Sequence, residues 1–85
     1  MERITRPVLG GDYILSSGEK EEAIQRLGQF EDAYERLILR REEIVVRMEE
    51  LRGAGRQKSA QFRELLGEKL TIQNMLLLLE SCGIC

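Results

Sequence analysis

The stretch LGQFEDAYERLILRREEIVVRMEEL, residues 27–51, decides the fold. Leu27, Phe30, Tyr34, Leu37, Arg41, Ile44, Met48 and Leu51 recur at alternating intervals of three and four, the seam of a helix that packs along another helix. Ile24, Ile38 and Val45 widen that seam, as contact with more than one neighbour requires. Away from it, Glu22 to Arg26, Asp32 to Arg36 and Glu43 to Arg47 set an acid four residues before a base, the spacing of a solvated, ion-paired face.

Working outward, Ser16-Ser17-Gly18-Glu19 has the S-x-x-E spacing of a capping box, which places the helix start at residue 19. At the other end Gly53-Ala54-Gly55 stops the helix after residue 52, because glycine accepts the left-handed conformation that closes a helix. Residues 53–59 then form a short loop, and Ser59 is the expected N-cap of a second helix over 60–81. Its apolar residues are Phe62, Leu65, Leu66, Leu70, Ile72 and the run Met75 to Leu79, which nearly encircles the axis. Helices joined by so short a loop run antiparallel.

Residues 1–18 are of different composition. Val8-Leu9 and Tyr13-Ile14-Leu15 flank Gly10-Gly11, the pattern of a small β-hairpin that is marginal unless it lies on something. The expected architecture is all-α: a long antiparallel helical hairpin over 19–85, a short irregular or β-hairpin N-terminal arm over 1–18, and coiled-coil-like self-association. The first helix is expected to overhang the second, leaving Ala23, Ile24, Leu27 and Phe30 to be covered by the arm or by a second chain. The residues expected to carry self-association are Leu27, Phe30, Tyr34, Leu37, Ile44, Met48, Leu76, Leu77 and Leu79.

Composition narrows the chemistry. With 85 residues the chain is one domain at most, of a size that usually needs a disulfide, a metal or a partner to supplement its core. Two cysteines and no histidine supply neither a disulfide framework nor a zinc ligand set within one chain. That leaves association. Thirteen basic against 15 acidic residues make no field for nucleic acid or an anionic membrane, so neither is an expected partner. MERITRPVLGG lacks the apolar core of a secretory signal, and a reducing cytoplasm fits the cysteine usage.

The tail LLLLESCGIC has several conceivable uses. The leucine run is far shorter than the roughly 20 residues of a membrane span. Cys82-Gly83-Ile84-Cys85 has the outline of a prenylation box, but cysteine is not a usual last residue there. A redox C-x-x-C normally sits at a helix N-terminus, whereas this one follows a C-terminus. Zinc would need thiolates from two chains. The favoured expectation is that the leucines bury on two sides and that Gly83 ends the helix, with no cofactor and no metal.

Gly53-Ala-Gly-Arg-Gln-Lys-Ser59 combines glycines, cations and a hydroxyl before a helix N-terminus, the ingredients of an anion site without the P-loop spacing. Arg52, Arg56, Lys58, Ser59 and Arg63 form this basic loop, and Arg41, a charge in the apolar seam, is a further candidate anion ligand. A nucleotide signal held here would make the protein a sponge. Arg41 could instead set register by reaching a glutamate of another helix.

Two families resemble parts of the chain. RLGQFEDAYERLILRREEIVVRMEELR resembles the long first helix of all-α chorismate mutases; the resemblance implies Arg41, Arg47 and Gln73 as substrate-carboxylate ligands, although the family's third helix has no counterpart here. The opening MERIT, the phrase AIQRLGQFEDAYERL and the close EKLTIQNMLLLLESCGI resemble small uncharacterised phage and prophage proteins of Gram-positive gut bacteria. Those carry an AI-x-RL-x-x-YED phrase, matched at Ala23, Ile24, Arg26, Leu27, Phe30, Glu31 and Asp32 with Phe in place of Tyr. That resemblance implies a mobile-element protein acting in the host cytoplasm. The expected function is therefore non-enzymatic: a homo-oligomer, dimer or higher, that binds, with a host defence protein as target in the manner of small anti-CRISPR inhibitors.

Overall fold

The computed structural model describes residues 1–84; Cys85, and with it half of the terminal cysteine pair, lies outside them. Two strands, β1 (Thr5–Pro7) and β2 (Tyr13–Leu15), precede two helices, α1 (Lys20–Gly53) and α2 (Ala60–Ser81). The helices pack against each other as a hairpin, so the expected fold class holds. By contacts the chain divides into Met1–Tyr34 and Glu35–Cys85.

In the first unit the strands pair antiparallel, with Arg6 opposite Ile14 and Pro7 opposite Tyr13. The first strand lies earlier than the apolar pair Val8-Leu9 suggested. Val8 donates its N–H to the Asp12 carbonyl at 3.0 Å, which closes the turn. Leu9 therefore sits in the loop, fully exposed. Hairpin pairing here follows the Thr5–Leu15 register, not apolarity. The arm does lie on something: Ile4 is buried, it shares a small cleft with Ala23 and Arg26 of α1, and Arg26 donates to the Glu2 carbonyl. Arg3 stacks over the Tyr13 ring at 5.4 Å.

The capping box is not formed as the spacing suggested. Glu19 N–H bonds back to the Ser16 carbonyl at 3.2 Å, and Gly18 sits at φ +84°. Ser16 thus opens a tight turn of the kind that needs glycine at its third position. The cap role passes to Glu19, whose carbonyl accepts from Ala23 N–H at 2.9 Å.

In the second unit α1 runs one residue past its expected end. Gly55, at φ +75°, is the left-handed residue. Arg56 N–H reaches the Leu51 carbonyl at 2.7 Å and Gly55 N–H the Arg52 carbonyl at 3.0 Å. This paired closure satisfies the last free carbonyls of the helix. Gly83 ends α2 by the same pattern, with Ile84 N–H on Leu79 and Gly83 N–H on Glu80. Ser59 caps α2 as expected, its hydroxyl accepting from Phe62 N–H at 3.1 Å.

The core of this unit is Ile44, Met48 and Leu51 from α1 with Phe62 and Ile72 from α2, flanked by Leu37, Leu65 and Leu76. Leu66, Leu70, Met75, Leu77 and Leu78 remain exposed. The leucine run surrounds the α2 axis, and one partner helix covers only part of its circumference. The run supplies more apolar surface than this packing uses.

Two sets of variants test this account. Ile44→Ala, at a fully buried large side chain, should cost about 2 to 5 kcal/mol in urea unfolding, against about 0.5 to 1.5 for Ile44→Val. Gly55→Ala should destabilise by about 1 to 2 kcal/mol through left-handed strain alone, since an added Cβ meets nothing within 4 Å. Gly67→Ala, equally unobstructed but inside α2, should stabilise by about 0.5 to 1 kcal/mol.

Candidate functional site

Of the residues named for an anion site, two already have partners within the chain. Arg52 pairs with Glu49 and lies over the Phe62 ring at 5.8 Å from its centre. Both side chains of that pair are exposed, so it lies at the surface. Ser59 is occupied in capping α2. Arg56, Lys58 and Arg63 are exposed, and none of them has an ion-pair partner among the described residues. Arg41 stands three turns up α1 from Arg52, about 16 Å along the axis.

Arg41 instead belongs to a groove between α1 and α2. Arg41, Glu42, Val45 and Val46 line it from α1, and Lys69 and Gln73 from α2; its volume is about 480 Å³. The groove continues along α2 past Gln73, Leu76 and Leu77 to Glu80, with Arg41 again on its wall. Arg41 is half-buried and makes no ion pair among the described residues. Of the three residues implied by the mutase resemblance, Arg41 and Gln73 share this groove. Arg47 points elsewhere and pairs with Glu50 at 2.9 Å.

The self-association residues fall into three groups. Ile44 and Met48 are consumed by the chain's own core, facing Phe62 and Ile72, and offer no surface to a second copy. Tyr34, Leu37, Leu76 and Leu79 are half-buried. Leu27, Phe30 and Leu77 are exposed. The covering that Ile24, Leu27 and Phe30 required does not come from the arm, whose buried residue is Ile4 beside Ala23.

Sequence reasoning missed a bidentate ion pair between the helices. Arg40 donates from Nε and Nη2 to the two Glu68 carboxylate oxygens, each at 2.9 Å. It also reaches Glu43 at 3.3 Å. With Glu43 engaged there, Arg47 turns to Glu50 and the expected Glu43–Arg47 pair is absent, whereas Glu22–Arg26 forms at 2.9 Å. The hydrogen bonds from Arg40 hold the Glu68 carboxyl below its ordinary 4.5, and those to Glu68 and then Glu43 raise the Arg40 guanidinium.

A carboxyl lowered on folding adds stability above its ordinary value and loses it as pH falls toward the depressed one. The melting-temperature difference between the wild type and Glu68→Gln should therefore be greatest near neutrality and shrink below about pH 4.5. High salt should shrink it as well, because the pair is exposed.

Among the described residues no cluster of His, Cys, Asp and Glu is arranged to hold a metal, and no helix is long and apolar enough to cross a membrane. No protein-family model, curated protein or solved structure matches the chain.

Proposed function

We propose that this is a non-enzymatic helical interaction protein that acts by binding, to a second copy of itself and to a foreign protein surface. The observation that carries the reading is the unspent apolar surface. Ile24, Leu27 and Phe30 are 62%, 58% and 39% exposed at helical spacing on α1. A fully exposed side chain of this kind forfeits about 1.5 to 3 kcal/mol, so at these exposures each forfeits roughly half of that. Together they forfeit roughly 2 to 5 kcal/mol, an appreciable share of the about 5 to 15 kcal/mol stability of a small domain. A surface that expensive fits a protein whose working state has it covered.

The phage-like phrases at Ala23 to Asp32 overlap that surface, which makes a host protein in the host cytoplasm, a defence component above all, the natural foreign target. An amphipathic helix face offering Ile24, Leu27 and Phe30 suits a hydrophobic groove on such a partner.

A second reading has its own support. Arg41 and Gln73 share a groove of about 480 Å³, within the range of small-molecule sites. A small organic anion bound there would make the protein a ligand sponge or, if turned over as chorismate is, a mutase-like enzyme. The basic interhelix loop supports the sponge less well, since Arg52 and Ser59 already have partners within the chain.

Light scattering on the purified protein, with and without chelator and reductant, tests the first reading. The expected result is a dimer or larger species indifferent to both. A monomer at all concentrations would end the self-association claim. In the same preparation a nucleotide panel and chorismate should leave the melting temperature unmoved. A ligand at 100 times its dissociation constant would add about 2.7 kcal/mol and favour the second reading instead.

A further inference from the structure

The two units of the chain are stabilised by different means. In Glu35–Cys85, Ile44, Met48, Leu51, Phe62 and Ile72 share one buried core. In Met1–Tyr34, Ile4 alone is buried among the described residues. No described residue of α1 before Ile44 is buried.

Neither part of the first unit stands by itself. A two-stranded hairpin is marginal in water, and here each strand has three residues. An isolated helix shorter than about 12 to 15 residues is marginal too, and the stretch of α1 inside this unit, 20–34, is no longer than that. Gly28 is its poorest helix former. An added Cβ there meets nothing within 4 Å, so no close approach calls for the glycine. The Glu22–Arg26 ion pair is exposed and contributes little.

What the parts lack singly they supply to each other. Ile4 is buried in the cleft it shares with Ala23 and Arg26. Arg26 donates through one Nη to the Glu2 carbonyl, 24 residues away in sequence, and through the other to Glu22. Melting the helix leaves the arm without a floor, and lifting the arm uncovers Ala23 and frees Arg26.

We infer that residues 1–34 are a cooperative unit that opens and closes as a whole while the core of Ile44, Met48, Leu51, Phe62 and Ile72 stays closed. Ile24, Leu27 and Phe30 stand at helical spacing only in the closed form. The affinity of anything that docks on them therefore scales with the closed fraction. The unit is thus a conformational gate on that face, and its opening does not depend on the face having a partner.

Native-state hydrogen exchange, followed by NMR in dilute solution over a urea series, is the test. The amides of Val8, Leu27 and Phe30 should share one opening equilibrium. Their protection should be at least tenfold below that of Met48, Leu51 and Ile72, with a smaller urea dependence because less surface is exposed. Ile4→Ala should lower protection at Leu27 and Phe30 about tenfold and leave Met48 and Ile72 unmoved. Gly28→Ala should act in the opposite sense, raising protection about fourfold at Val8 in the arm as well as at Phe30. Two results would overturn the inference: Leu27 and Phe30 as protected as Met48, or protection that rises gradually along α1 from Lys20 with neither substitution felt across the arm–helix contact.

Discussion

The closure of α1 on α2 is what the structure depends on. Ile44, Met48 and Leu51 meet Phe62 and Ile72 because a connection over 54–59 reverses the chain within one turn's reach of Leu51. Once these side chains have met, the register along both helices is set. Glu68 and Lys69 are neighbours in sequence yet lie about 100° apart around α2, and they come out on different flanks of the seam. Glu68 finds Arg40. Lys69 is left in the groove with Arg41.

Much of this was legible in residues 27–51. A strict alternation of threes and fours has one physical meaning, and two glycines before a serine mark a stop and a restart. Boundaries expected at 19–52 and 60–81 became Lys20–Gly53 and Ala60–Ser81. Local spacing failed where a competing local geometry existed. Ser16-x-x-Glu19 satisfies a capping box and a tight turn equally well, and Gly18 at positive φ decides for the turn. Val8 and Leu9 look like strand residues, but the pairing of Thr5 with Leu15 puts them in the loop.

The candidate site was less legible for a different reason. Periodicity sorts residues into faces only when some faces are polar, and Leu76 to Leu79 cover every direction. Which of them lie inside is decided by the opposite helix: Leu76 packs on the core while Leu77 and Leu78 do not. For the loop cations, sequence clustering does not show which side chains are already engaged. Arg52, Arg56, Lys58 and Arg63 cluster in sequence, but Arg52 is held by Glu49 and Phe62, and Arg41 lies about 16 Å away along α1.

The short connection at 54–59 also has a kinetic consequence. Helical contacts are local in the chain, and the first contacts across the seam, near Leu51 and Phe62, close a loop of about ten residues, an event on the order of 10 to 100 ns. Chains with such low contact order fold in microseconds to milliseconds. Encounter between two proteins, at a typical 10⁵ to 10⁷ per molar per second, is slower than that at micromolar concentration. The helical hairpin therefore closes on itself before any encounter with another protein, with Leu66, Leu70, Leu77 and Leu78 still in water.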